Sequence, residues 1–323
     1  MQYTPRRLRL EKEKKKNVYK GKALRILAAI LIGALMWFVI SQAYNLALIR
    51  IAKTFPAEEG SLEKSVKIQA VLVRHEWLFT CPLSGKLRVI AKEGERVPEG
   101  SLLAVVTGEG SSVSTEMPVQ NIYAKKTGIV SYKLDGLENV LTPSTIASLK
   151  EESVYEQAKI ANSIVAANQD IIPSGTAFVK IVNNLKPIVL DFSLAKEVLE
   201  EAPKEGDTFL FRIPLEKEQW KATVVNVSKN PLSYRIIAET SDWPQQFLNS
   251  RFVELDCIIN IFKGLIVPSS AISEKEGVKG VYKIDTNRYR FVPVEIIGQV
   301  GELAVVSGVE AGDEVLVDSS HAK

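Results

Sequence analysis

A mainly β chain carried behind a single N-terminal transmembrane helix is the fold class that three features of the sequence predict. Residues 26–49 contain no Asp, Glu, Lys or Arg. Beyond them, short apolar or β-branched runs alternate with Gly- and Pro-containing turns, the pattern of small β domains. Within those runs lies an internal near-repeat.

The basic tail comes first. Residues 1–25 carry ten basic residues against Glu11 and Glu13, a charge of +8, which leaves −5 on the other 298 residues of a chain whose total is +3. A 24-residue helix at ~1.5 Å per residue is about 36 Å long, enough to cross a hydrocarbon core of about 30 Å with some tilt. Trp37 and Tyr44 suit the outer headgroup region, and Arg50 and Lys53 end the apolar run. The run exceeds a usual signal-peptide core and no compact A-x-A site follows it closely, so a retained anchor is expected. The positive-inside rule then places residues 1–25 in the cytoplasm as a basic tail and everything from about residue 55 outside. Lys12 to Lys16 read as a topology determinant that also touches the lipid bilayer, not as a nucleic-acid site.

Composition excludes several function classes. A hydrophobic fraction of 46% and a charged fraction of 24% over 323 residues argue for folded domains and against wholesale disorder. Cys81 and Cys257 are too few for a disulfide scaffold or a Cys-built metal centre. With only His75 and His321 there is little material for a His-based metal site or a Ser–His triad. No catalytic, cofactor-binding or metal-binding residues are expected. His75 and Glu76 read as surface residues of one strand, and Asp135 and Glu138 as turn acids around Gly136.

A linker at 50–65 leads to the repeat. Its first copy runs from Cys81 through Ser84-Gly85 to Gly94 and then Val97-Pro98-Glu99-Gly100. The second runs from Tyr123 through Thr127-Gly128 to Asp135-Gly136, and closes late, at Ile172-Pro173-Ser174-Gly175. Gly85, Gly94, Gly100, Gly128, Gly136 and Gly175 are the expected turn residues, with positive φ anticipated at Gly85 and Gly128. Two such halves, related by a pseudo-twofold, interlock into a flattened β-sandwich.

These halves resemble the lipoyl-like barrel-sandwich hybrid of the HlyD/membrane-fusion-protein family, the periplasmic adaptor subunits of efflux and secretion pumps. The resemblance continues downstream. Residues 178–183 and 187–192 are similar to that family's exit into a β-barrel, with a helical turn expected at 193–202 and strands at 208–213, 221–227, 234–239 and 252–261. Residues 264–272, ending Val267-Pro268-Ser269-Ser270-Ala271-Ile272, resemble the opening of its membrane-proximal β domain, and Gly308 and Gly312 fall in its final hairpins. The resemblance therefore implies a hybrid at 66–184, a β-barrel at 185–262 and a membrane-proximal domain at 263–319.

Two departures shape the expectation. The slot that holds a long α-helical hairpin in adaptors reaching an outer-membrane channel contains only residues 107–118, TGEGSSVSTEMP. This hairpin-less form suits a single-membrane bacterium, and the slot holds no Lys for a lipoyl-type arm. Instead a helical insertion is expected at about 142–165, with Thr142 as its cap and Pro143 in its first turn. It reads as either a packed decoration or a partner-binding surface, and its removal is expected to spare the fold.

The implied role is a non-catalytic, membrane-anchored extracytoplasmic adaptor of an efflux or secretion transporter. Its implied partners are that transporter and further copies of itself in a ring of six. The alternative is a cell-envelope scaffold that organises wall or division proteins without a transport partner.

Overall fold

A computed structural model describes residues 30–41, 53–108, 117–161, 164–199, 201–285 and 288–318. Residues 30–41 are helical and exposed. Among the described residues no helix is long and apolar enough to cross a membrane. The rest of the 26–49 stretch lies outside the described residues, as do Gly110 and the basic tail. The chain divides into two compact units, Glu63–Ile261 and Met1–Leu62 with Phe262–Lys323.

In the larger unit the repeat builds two four-stranded antiparallel sheets. One holds strands Ile171–Ile172, Gly85–Val89, Leu102–Gly108 and Val119–Tyr123, in that order. The other holds Glu76–Thr80, Ala177–Val182, Gly128–Ser131 and Arg96–Val97. Each sheet takes strands from both halves of the repeat. Their inward side chains, among them Phe79, Leu87, Leu103, Val106, Val130, Phe178 and Ile181, make one core.

The same unit contains the barrel. Strands Thr208–Arg212, Gln219–Lys229, Ser233–Thr240, Ile188–Ala195 and Glu58–Val73 follow one another, and Phe252–Pro268 pairs with Thr208–Arg212. Alternation along these strands sorts the side chains. Ile68, Ala70, Leu72, Leu190, Phe192 and Leu194 point inward, onto Phe211, Trp220 and Phe247. The indole of Trp220 stacks on Phe211 with centroids 5.0 Å apart, while Phe192 meets Phe211 edge-on at 5.3 Å.

Residues 66–73, expected in the hybrid, are therefore barrel strand: Leu72 pairs with Leu190 and Ala70 with Phe192. Their apolar alternation suited either domain, and only the register assigns it. The helical turn expected at 193–202 shrinks to a 3-10 turn at Lys196–Val198, because Ser193 and Leu194 continue the strand.

The smaller unit is also β. Thr54–Pro56 pairs with Glu314–Leu316, and Val278–Asp285 pairs with Glu314–Leu316, Ile272–Lys275 and Arg288–Pro293. Leu265 to Pro268 pair with Leu303–Ser307, whose other neighbour is Glu295–Val300. Ala57, Val267, Ala271, Val281, Ala304, Val306 and Val315 form its core. So much of the linker expected at 50–65 is strand, in Thr54–Pro56 and the start of Glu58–Val73, and the Ala57 amide between them donates to Asp313 O at 2.9 Å.

The insertion departs from expectation at its start. Thr142 Oγ1 is engaged with the hydroxyls of Ser144 and Thr145, both at 2.9 Å, and a 3-10 turn follows at Ile146–Ser148. The α-helix begins only at Glu151 and runs to Ile160. The chain then returns as Ile164–Val165, paired with Lys133–Leu134.

Candidate functional site

The turn glycines divide into two physical kinds. Gly94, Gly100, Gly136 and Gly175 take φ of 78, 86, 78 and 83°, with open space where a Cβ would point. Gly85 and Gly128 do not take positive φ, contrary to expectation. They open strands, and a Cβ would lie 2.3 Å from Thr107 O at Gly85 and 2.4 Å from Val182 O at Gly128. Glycine is required there because a neighbouring backbone passes against it. Gly108, expected in a loop, ends the strand opposite Gly85 and is buried. In the smaller unit Pro268 pairs with Leu303, Gly308 has φ of 108° and Gly312 has φ of 87°. These residues serve separate turns and strand pairings and form no common site.

What the fold does bring together is charge. Arg74, Glu76, Asp135, Glu138, Lys180 and Arg251 meet in the seam between hybrid and barrel, three cations against three carboxylates. Glu76 Oε1 lies 2.9 Å from Arg74 Nε and 3.2 Å from Lys180 Nζ, and its Oε2 lies 2.8 Å from Arg251 Nη2. Arg251 also grips Asp135 with two bonds, Nε to Oδ2 at 2.8 Å and Nη2 to Oδ1 at 3.0 Å. Lys180 Nζ reaches Glu138 Oε1 at 3.3 Å, and the same oxygen accepts from the Asp135 amide at 2.8 Å. Arg74 Nη1 donates to the carbonyls of Phe247 and of Ser250, the latter at 2.6 Å.

The six come from four separate stretches of chain. Arg74 and Glu76 lie on the way out of the barrel, Lys180 on the way back, Asp135 and Glu138 at the root of the insertion, and Arg251 before the last barrel strand. All six side chains are at most 8% exposed. Asp135 and Glu138 are turn acids, accepting from the amides of Leu137 and Asp135, and are buried ion partners as well, while Glu76 is no surface residue.

The electrostatics follow from burial and pairing. Burial alone would raise the Glu76 carboxyl, but Arg74, Arg251 and Lys180 outweigh it and hold it down at about 2. Asp135 is also lowered: burial opposes the shift, and the paired hydrogen bonds and charge of Arg251 outweigh it. Burial lowers Arg74, whereas Arg251, opposed by the same burial, is raised by Glu76 and Asp135. Such a network ties four stretches of chain and exposes no reactive group.

The remaining candidates for chemistry are dispersed. Cys81 and Cys257 are free and buried, and burial pushes the Cys257 thiol up to about 12. Among the described residues no group of three or more His, Cys, Asp or Glu side chains is placed to hold a metal ion.

One sequence signal marks the network. Lys180 sits inside the apolar run Phe178-Val179-Lys180-Ile181-Val182, where an unpaired charge is not tolerated. The other five each have a polar or glycine neighbour on at least one side and do not interrupt an apolar run in this way.

Residues 76–183 match the family model described as "RND related, barrel-sandwich hybrid domain". The resemblance to membrane fusion proteins drawn from the repeat is met over that segment. No curated protein matches the chain. Among solved structures the chain is similar to ZneB from Cupriavidus metallidurans, with 11% identity over 84% of this chain and 93% of that one and a TM-score of 0.36. It is similar to MacA from Actinobacillus actinomycetemcomitans, with 13% identity over 82% and 99% and a TM-score of 0.36. A third is the membrane fusion protein Spr0693 from Streptococcus pneumoniae R6, with 13% identity over 60% and 99% and a TM-score of 0.30. At such TM-scores neither the fold nor the role of this chain follows from these likenesses.

Proposed function

We propose that this protein, whose residues 76–183 are a barrel-sandwich hybrid domain of the RND-related type, is a membrane-anchored, extracytoplasmic and non-catalytic adaptor for an efflux or secretion transporter. The observation that carries the reading is the order of parts. An uncharged apolar stretch at 26–49 follows a +8 tail. The hybrid then lies within the barrel's stretch of chain, and a smaller β unit takes its strands from either side of both.

The tail stays in the cytoplasm, the apolar stretch crosses the membrane once, and the domains work outside. Three domains are assigned within that outer part, the hybrid, the barrel and a membrane-proximal domain, and copies associate into a ring. The buried network of paired charges supports a structural rather than a chemical role for the seam. With only residues 107–118 between the two halves, the protein has no hairpin to reach a distant channel, which suits an envelope with one membrane.

Topology tests the reading. A reporter that works only outside the cytoplasm, fused after Lys323, is expected to be active. Activity only of a cytoplasmic reporter at that position would overturn the adaptor role together with the anchor.

A further inference from the structure

The insertion leaves the hybrid and rejoins it at one point, where Leu134 pairs with Ile164 and Lys133 with Val165. Between these points it travels onto the barrel. Leu141, Ile146, Val154 and Ala158, none more than 4% exposed, pack on Val71, Val73, Val189 and Ile237. Those four belong to the face of the barrel strands opposite the one that holds Leu72, Leu190 and Ile236, so the insertion covers the barrel's outer surface.

Polar groups pin it there. Arg235, on a barrel strand, donates through Nη1 to Leu149 O at 2.6 Å and through Nη2 to Ile146 O at 3.1 Å. Its guanidinium is held by Asp191 of the neighbouring strand, with Nε 2.9 Å from Oδ1. The Tyr155 hydroxyl lies 3.0 Å from Gln69 O and 3.1 Å from Asp191 O. Glu151 accepts from the Ser193 hydroxyl and, at 2.8 Å, from Asn230 Nδ2. Three barrel segments therefore hold one short helix, and Arg235 holds the turn before it.

That helix has little stability of its own. It is ten residues long, and Lys150 at its N-cap makes no side-chain cap. An isolated helix of that length is marginal in water. Its root is fixed at the other end, because Asp135 and Glu138 belong to the buried network with Arg251 and Lys180.

We propose that the 142–165 insertion is a strap that locks the hybrid to the barrel, so that the two move as one body. This inference does not depend on the adaptor reading. It replaces the expectation that the insertion is dispensable for the fold, since its removal would uncover four apolar side chains and strip Arg235 of two carbonyl partners.

Hydrogen exchange on the full chain tests the lock directly. Amides in Glu151–Ile160 are expected to be protected to within about tenfold of those in Ile188–Ala195 and Ser233–Thr240, and exchange about a hundredfold faster would overturn the proposal. A second arm uses spin labels at Lys126→Cys and Lys221→Cys, both exposed, with the native cysteines buried. Val154→Asp, which frees the helix, is expected to broaden the narrow interlabel distance distribution. A freed helix with an unchanged distribution would show that the strap locks nothing. Should Val154→Asp not fold, Tyr155→Phe removes only the hydroxyl. It is expected to speed strap exchange several-fold at constant barrel exchange, and no selective change would count against the lock.

Discussion

Arg251 Nη2 lies 2.8 Å from Glu76 Oε2, an ion pair whose side chains are 3% and 0% exposed although 175 residues separate them in sequence. The pair joins the start of the hybrid to the last barrel strand. Its pH dependence has a definite sign. The Glu76 carboxyl titrates near 2 when folded, against 4.5 for an ordinary glutamate. A depressed carboxyl contributes stability that is complete above the unfolded value and is lost as pH falls toward the folded one. The urea midpoint should therefore fall between about pH 5.5 and pH 2, with on the order of 3 kcal/mol carried by this group. Glu76→Gln is expected to lower stability at neutral pH by about 3–5 kcal/mol, through the cations left under-compensated, and to flatten the acid limb. An unchanged acid limb in that variant would place the titrating group elsewhere.

Alanine scanning at two glycines separates close approach from backbone conformation. Gly100→Ala places a side chain at φ of 86° in open space and should cost about 1–2 kcal/mol. Gly85→Ala needs no unusual φ but drives a Cβ to 2.3 Å from Thr107 O. Backbone on both sides cannot retreat without breaking the Gly85–Gly108 pairing, so a loss above about 3 kcal/mol is expected. Denaturant midpoints rank the two, and a larger loss at Gly100 would contradict the close-approach account.

The Arg235–Asp191 pair under the strap predicts strong non-additivity. Arg235→Leu leaves Asp191 with a buried, uncompensated carboxylate and should cost about 3–5 kcal/mol. Burial already raises that carboxyl even with Arg235 present. Adding Asp191→Leu should recover much of the loss, since an apolar pair replaces a half-broken ionic one. Recovery stays incomplete because the carbonyls of Leu149 and Ile146 still lack their donor. A double-mutant cycle measures this, and simple additivity would mean that the two groups are not coupled.

The parts that repeat locally were legible in the sequence. The turns at Gly94, Gly100, Gly136 and Gly175 announce themselves by Pro and polar neighbours, and the apolar strands between them by alternation. Less was legible where meaning depends on a distant partner. Ile68, Ala70 and Leu72 alternate well enough for either domain, and the pairing of Ala70 with Phe192 and Leu72 with Leu190 decides. Gly85 and Gly128 share a composition with positive-φ turns, while their actual constraint is a carbonyl brought in from Thr107 or Val182. The charges misled most. Lys180, Asp191 and Arg235 each interrupt an apolar strand, a visible sign of a buried partner, whereas Glu76, Asp135, Glu138 and Arg251 resemble ordinary surface residues until the chain folds.

The central claim is that the chain serves a membrane transporter. Its most direct test is affinity purification of the full-length protein from gently solubilised membranes, followed by identification of what comes with it. A polytopic transporter is expected in the eluate, retained when the hybrid–barrel unit is intact and reduced in Glu76→Gln, where the seam is weakened. Recovery of cell-wall or division proteins with no transporter, from membranes in which the chain is folded and anchored, would contradict the adaptor account.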